Sequence, residues 1–317
     1  MDQRPLGRSG LRIAPLVLGG NVFGWTADEG TSFAILDRFV EHGFNLIDTA
    51  NVYSSWVEGH TGGESETIIG KWLKRSGHRG RVLIASKVGH PLTTHDKGLG
   101  RGAIERHVEA SLRRLQTDRI DLYQTHKDDP ETPIEETLTA LDRLVRAGKV
   151  RAIGASQYEG PRLRESVEAS ERLGLARYET LQPEYNLYDR AGFERELQPV
   201  ARDYGMAVIP FYGLAKGFLT GKYRKAADLE GRARADGLRK YFEGDRGARV
   251  LGALDSVAKR LEATPAQVAL AWTMAQPTIA GPIVSVTSVA QLDEIAPAAR
   301  LRLDAEALAQ LDATRGT

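Results

Sequence analysis

"LVLGGNVFGWT", residues 16–26, is the stretch on which the fold turns. It opens as an apolar strand and passes through two glycines toward a helix. A doubly wound sheet that binds a dinucleotide carries GxGxxG at this turn, so that the backbone can approach a pyrophosphate. Here that pattern is absent. GLGRGA (98–103) resembles it, but polar PLTTHDK precedes it rather than a strand, so it reads as a flexible approach to a helix. No GxxxxGK[ST] phosphate loop occurs either.

Outward from this stretch, short β-type runs alternate with amphipathic helical runs over almost the whole chain. Strands are expected at APLVLGG (14–20), FNLIDTA (44–50), RVLIASKVG (81–89), IDLYQTH (120–126), KVRAIGASQ (149–157), YETLQPEYN (178–186), MAVIPFYG (206–213) and TIAGPIVSV (278–286). Between them, residues such as Ile104, Val108, Leu112 and Leu115 recur at the spacing of a helix packed on a core. Thr31 and Ser65 are read as helix caps, Gly43 as a helix end, and Thr264-Pro265 as a cap followed by a first residue. Eight such units without a linker predict an α/β fold, a single (β/α)8 TIM barrel spanning 1–317. LGRSGLR (6–12) is expected to form an N-terminal β-hairpin cap at the barrel bottom. The stretch 214–247 and the tail after 298 supply C-terminal helical and loop extensions.

The 317 residues carry 43 basic and 42 acidic side chains, a formal charge of +1, and no cysteine. Balanced charge gives no reason to expect nucleic acid or an anionic membrane as partner. Lack of cysteine excludes disulfides, thiolate catalysis and cysteine-ligated metals. Without a secretory-type apolar start or the ~20 apolar residues of a spanning helix, the expected location is cytoplasmic.

In such a barrel the chemistry sits at the carboxyl ends of the strands. Those ends carry Asp48, Lys87 and His126 on three successive units, with Tyr53 in the loop above the first. Adjacent strands lie about 4.8 Å apart, so the four side chains are expected in one small volume. There Lys87 supplies the cation that a buried Asp48 needs. Individually each has an ordinary explanation: a turn aspartate, a snorkelling lysine, a structural histidine, a covering aromatic. Together they form an acid/base group. The other histidines fall on helices or polar loops. His90 and His95 with Asp96 fit no standard metal pair, and no metal is expected.

At this point the sequence resembles the aldo-keto reductase superfamily over nearly its full length. The resembling stretches are LGRSGL…LVLGG, NLIDTANVYS, IASKVG, DLYQTH, VRAIGAS, LQPEYN and GLAKGFLTGKY, in that order. The resemblance implies reduction of a carbonyl by a nicotinamide cofactor bound across the barrel mouth, with Asp48, Tyr53, Lys87 and His126 as catalytic tetrad. Tyr53 would deliver the proton, made a better donor by Lys87; Asp48 would hold Lys87; His126 would orient the substrate oxygen.

By the same resemblance Ser156, Gln157 and Gln182 would hold the nicotinamide carboxamide and Phe211 would stack on the ring. Gly20, Asn21, Tyr212 and Gly213 would neighbour the cofactor; Leu214, Lys216, Gly217 and Lys222 would lie along the pyrophosphate. Gln157 stands where the family usually has Asn, and Phe211 where it usually has Tyr. Around the adenosine 2′-phosphate, Ser285, Thr287, Ser288 and Gln291 supply hydroxyls and an amide but no cation, so NADPH is expected with NADH as the alternative. Residues 223–247 read equally as a clasp or a solvated loop. Trp25, Ser54, Trp56, Lys127 and Asp128, with Tyr53 and His126, are expected to line the substrate pocket, which suits a polar, sugar-like or aromatic carbonyl.

Two other functions fit the same residues. A cofactor-binding redox sensor, like the cytoplasmic β subunits of potassium channels, would bind tightly and turn over slowly. A sugar-phosphate isomerase on the same barrel would bind no nicotinamide. The residues leave the physiological substrate, the reaction direction and the oligomeric state undetermined.

Overall fold

The computed structural model describes residues 2–92, 98–230 and 236–316. Two short antiparallel strands, β1 (Arg4–Pro5) and β2 (Arg12–Ile13), form the expected hairpin. Eight parallel strands follow: β3 (Val17–Gly19), β4 (Leu46–Asp48), β5 (Leu83–Val88), β6 (Ile120–Thr125), β7 (Val150–Ser156), β8 (Tyr178–Gln182), β9 (Ala207–Val208) and β10 (Ile283–Val284). They pair in the order β10-β3-β4-β5-β6-β7-β8-β9. A parallel bridge between Val208 and Ile279, with Ala280 N–H donating to Val208 O at 2.8 Å and Ile283 N–H to Pro210 O at 2.8 Å, joins the ends of that order into a barrel.

Helices α1 (Glu29–Glu41), α2 (Glu64–Ser76), α3 (Arg101–Leu115), α4 (Ile134–Arg146) and α5 (Gly160–Leu173) each follow a strand. Beyond them lie α6 (Gln198–Asp203), α7 (Arg246–Arg260), α8 (Pro265–Ala275), α9 (Val289–Ile295) and α10 (Ala305–Asp312). Each of the first five buries an apolar stripe against the outside of the barrel; Ile104, Val108, Leu112 and Leu115 do so on α3.

Several local expectations are corrected. Asp28, not Thr31, caps α1: its carboxylate accepts from the Thr31 N–H at 2.7 Å, so the helix begins earlier. Ser65 does not cap α2, which starts after the left-handed Gly63; its hydroxyl instead donates to Gly20 O at 2.8 Å and ties the helix to the loop after β3. The last two barrel strands have two residues each because Pro210 and Pro282 lack the N–H a longer ladder needs. The expected helix over 192–205 splits into a π-turn, Phe193–Leu197, and α6, with Pro199 in the first turn of α6. Thr264 caps α8 as expected, accepting from Gln267 N–H.

Period-two alternation sorts the barrel interior into layers. Val17, Leu46, Ala85, Leu122, Ala152, Ala207 and Ile283 point inward and pack against Leu6, Leu11 and Ile13 of the hairpin, which seals the floor. Arg8 N–H donates to Glu179 at 2.6 Å and Ala14 N–H to the Asn45 side chain at 2.9 Å, fixing the hairpin at the amino ends of the strands. Two residues further along the same strands, the inward positions turn polar: Asp48 on β4, Lys87 on β5, Gln124 on β6 and, one layer up on β8, Gln182. This buried polar layer therefore rests directly on an apolar floor.

The segment 226–242 is anchored where it is described. Tyr241 is fully buried, stacks on Phe218 at 4.7 Å and donates to Asp189 at 2.7 Å. Residues 231–235 lie outside the described part, as do His95 and Asp96. Among the described residues no helix is long and apolar enough to cross a membrane, and no group of three or more acidic or imidazole side chains is placed to hold a metal.

Candidate active site

Lys87 is wholly buried and Asp48 is 1% exposed. An ammonium has three protons to donate, and Lys87 commits all of them: to Asp48 Oδ2 at 2.6 Å, to the Thr49 carbonyl at 2.9 Å and to the Tyr53 phenol oxygen at 2.8 Å. The other carboxylate oxygen of Asp48 accepts from Gln182 Nε2 at 3.0 Å and from Gln124 Nε2 at 3.3 Å. Every strong acceptor position of the buried carboxylate is thus supplied, which is what makes its burial tolerable.

Tyr53 reaches the pair because residues 49–57 turn repeatedly on themselves: Tyr53 N–H donates to Ala50 O and Ser55 N–H to Val52 O. Since its oxygen accepts from Lys87, the phenol's own proton is left for another acceptor. Asp48 Oδ2 stands at 3.5 Å, the limit of a hydrogen bond. Burial first, then the Asp48 carboxylate and Tyr212, hold the Tyr53 hydroxyl well above the ordinary phenol range. The Lys87 ammonium beside it, which favours the phenolate, comes paired with the Asp48 counter-charge. Burial also lowers the Lys87 ammonium against the opposing pull of Asp48.

His126 lies just beyond β6, its ring 5.8 Å from that of Tyr53. Burial, then the charges of Lys87, His90 and Lys127, push it well below the ordinary imidazole range. The ring is neutral at physiological pH. Its Nδ1 is buried without a partner, whereas Nε2 is the nitrogen toward the opening. The sign of the resulting pH effect is fixed. On acidification through about pH 6.5 the unfolded chain takes up a proton that folded His126 does not, so the folded state loses stability. The thermal midpoint is therefore expected to fall further between about pH 7 and about pH 5 for the wild type than for His126→Gln. Parallel midpoints in scanning calorimetry would refute this.

Two residues that the sequence reading left out belong to the site. His90, grouped there with polar loop histidines, sets its ring edge-on to His126 at 4.3 Å. Gln124 is fully buried beneath Asp48. Strand period offered a signal for Gln124: it precedes His126 by two residues and shares its face, a polar side chain at an inward position.

The residues expected to hold a cofactor divide by position. Ser156 donates to Gln182 O at 2.8 Å, and Gln157 donates from its side chain to His126 O at 2.9 Å. The half-buried Phe211 meets the exposed ring of Tyr212 at 5.0 Å. From Tyr212 to Gly217 the backbone passes repeatedly through positive φ: Tyr212 at 56°, Ala215 at 48°, Lys216 at 58° and Gly217 at 101°. Such a run turns N–H groups into a concave loop suited to an anion. Lys216 and Lys222 stand beside it, their ammonium groups 5.0 Å and 4.9 Å from the ring centroids of Tyr212 and Tyr223. Gly213 and Leu214 continue the loop; a Cβ on Gly213 would meet Pro282 at 3.0 Å.

Near the end of β10, Ser285 donates to Asn21 and Gly20 accepts from Ser65. Ser288 accepts from Gln291 N–H, and Gln291 Oε1 accepts from Thr287 N–H at 2.9 Å. Ser285 Oγ–H is thus engaged at Asn21, the Thr287 and Gln291 N–H groups are engaged at the start of α9, and residues 285–291 include no Lys or Arg.

On the rim, Trp25 and Trp56 are 38% and 49% exposed and meet edge to face at 5.6 Å. Trp56 also meets Tyr53 at 6.1 Å. Lys127 is exposed. Ser54 does not face the opening as expected: it is buried and donates to Phe23 O at 2.9 Å, pinning the loop. Asp128 is turned to Arg162 at 3.2 Å.

The sequence model described as "Aldo/keto reductase family" matches residues 15–315. The chain belongs to the aldo/keto reductase family. Among similar family proteins, the uncharacterized oxidoreductase YrpG of Bacillus subtilis is 38% identical across 98% of this chain and 95% of its own length. Norsolorinic acid reductase stcV of Emericella nidulans is 32% identical, covering 96% of this chain and 79% of its own. A probable voltage-gated potassium channel subunit beta of Arabidopsis thaliana is 32% identical over 93% and 90%. Family membership and the oxidoreductase relatives support an oxidoreductase acting on a small molecule.

Proposed function

We propose that the protein is an NAD(P)H-dependent carbonyl reductase in which Tyr53 is the general acid, and the general base in the oxidative direction. The observation that carries this reading is the triple donation by Lys87, which fixes the phenol oxygen and leaves its proton for a substrate oxygen. A carbonyl that accepts hydride becomes an alkoxide and needs that proton as it forms. The residues fit a nicotinamide cofactor. Gln182 commits its amide nitrogen to Asp48 and Gln124, and among the described residues its carbonyl oxygen accepts no hydrogen bond, which would leave it for a carboxamide N–H. Ser156 and Gln157 would flank that group, Phe211 would cover the ring face, and the 212–217 loop with Lys216 and Lys222 would take the phosphates. When bound, the cofactor supplies the hydride.

His126 would donate from Nε2 to the substrate oxygen, and as a neutral imidazole it does so without competing for the Tyr53 proton. The Trp25–Trp56 pair favours flat or apolar carbonyl substrates, with Lys127 beside them for a polar end.

The test is NADPH oxidation with 4-nitrobenzaldehyde, run beside quenching of intrinsic fluorescence by the cofactor. Absence of nicotinamide binding would remove the reading. Tight binding with negligible turnover across a carbonyl panel would favour the sensor reading, for which the plant channel subunit named above is the supporting observation.

NADPH is the proposed cofactor, following the family's usual preference. Because the engaged donors at 285–291 add no cation, the expected margin in kcat/KM over NADH is small, about tenfold or less, compared with what charge-assisted contacts to a 2′-phosphate give. A strong preference for NADH in parallel kcat/KM measurements would overturn that choice.

A further inference from the structure

Gln124 touches no substrate position and appears in none of the expected site residues, yet it is one of the most constrained side chains near the mouth. It is fully buried on β6, directly opposite Lys87 in the β5–β6 register. Its Nε2 donates to Asp48 Oδ1 at 3.3 Å, and its Oε1 accepts from Gln182 Nε2 at 3.3 Å. Gln182 comes from β8, so the two amides meet across the intervening β7. They can do so because β7 carries Gly154 there: a Cβ at that position would lie 3.2 Å from Gln124 Cγ and 2.1 Å from Thr180 Oγ1.

The direction of this chain follows from chemistry. A carboxylate only accepts. Asp48 therefore turns the –NH2 of both amides toward itself, and Gln124 Oε1 takes the second proton of Gln182 Nε2. With both of its amide protons committed, Gln182 has one orientation left, carbonyl oxygen outward. Without Gln124, the Asp48 carboxylate still disfavours a flipped Gln182, but a single bond no longer fixes the amide plane, and the carbonyl oxygen is free to swing away from the opening.

We infer that Gln124 is a positioning residue that locks the Gln182 amide with its oxygen toward the opening, so that the site selects a ring substituent bearing an N–H donor. The inference rests on the nicotinamide reading above and extends it to a residue that never meets the cofactor.

The experiment compares binding of NADP+ with that of its 3-acetylpyridine analogue, in which a methyl group replaces the carboxamide –NH2. Fluorescence quenching gives Kd for wild type, Gln124→Met and Gln124→Glu. Wild type is expected to prefer NADP+ about fivefold, the share of one neutral hydrogen bond. Gln124→Met, similar in volume but without donor or acceptor of comparable strength, is expected to lower that ratio below about twofold while leaving the analogue's Kd nearly unchanged. Protonated, Gln124→Glu can both donate to Asp48 and accept from Gln182; ionised, it still accepts but sets a second carboxylate against Asp48, which drives the side chains apart, so its ratio should be retained in acid and lost in alkali.

A wild type that does not discriminate overturns the inference, as does a folded Gln124→Met that keeps the full ratio. Equal weakening of both ligands would mean a general structural role and would also overturn it. If Gln124→Met does not fold, a pH-independent ratio in Gln124→Glu decides against it. Should wild type bind neither ligand, the nicotinamide reading itself fails, which is a distinct result.

Discussion

Tyr53→Phe is expected to lower kcat for carbonyl reduction by about 10²- to 10⁴-fold, the range typical of a positioned general acid, with cofactor Kd within about twofold of wild type. Removing one oxygen deletes the proton donor and one of three acceptors around Lys87, which keeps Asp48 and the Thr49 carbonyl. The aromatic contacts with Trp56 and His126 remain available to a phenyl ring. Chemistry and binding should therefore separate. A variant reducing 4-nitrobenzaldehyde at near the wild-type rate would show that the proton comes from elsewhere.

Lys87→Met should be more damaging, because it strikes stability as well as turnover. The side chain is wholly buried, and its removal leaves Asp48 as a buried charge with the Gln124 and Gln182 amides and the distant Tyr53 hydroxyl but no cation bonded to it. Breaking a buried pair on one side costs about 3–5 kcal/mol. Part of that cost can be relieved if Asp48 takes up a proton, so the loss should be greater at alkaline than at acidic pH. Turnover should fall at least as far as in Tyr53→Phe, since the phenol loses the partner that directs its lone pair. The double variant Lys87→Met/Asp48→Asn separates the two effects. It removes the orphaned charge and should recover most of the stability without recovering activity. Chemical denaturation of the single and double variants measures this, and a double variant less stable than Lys87→Met would contradict the buried-charge account.

Much of the site was legible because strand period and strand ends are sequence-level quantities. Asp48, Lys87 and His126 could be brought together from their places at successive strand ends, and Tyr53 from its place in the loop just above. The hairpin floor was readable from LGRSGLR between apolar flanks. Helix starts were less so: Asp28 and Thr31 are both competent caps, and only the first turn's geometry selects Asp28. The short β9 and β10 reflect Pro210 and Pro282 interrupting ladders that their apolar flanks would otherwise extend. Gln124 was overlooked because its role depends on Gln182, two strands away, and on Gly154 of the strand between them, in no local pattern. Ser54 was misplaced because a serine in a polar loop reads as exposed until its φ of 72° turns it inward.

The sealed floor has a kinetic consequence. Among the described residues the barrel is closed below by Leu6, Leu11 and Ile13, which leaves its mouth at the end where Trp25, Trp56 and Lys127 stand. On the proposed reading, cofactor and substrate would share that mouth and would have to queue: whichever lies deeper would enter first and depart last, and the later arrival would block its exit. The pace of a full cycle is then set as much by traffic through the opening as by the bond-making beneath it.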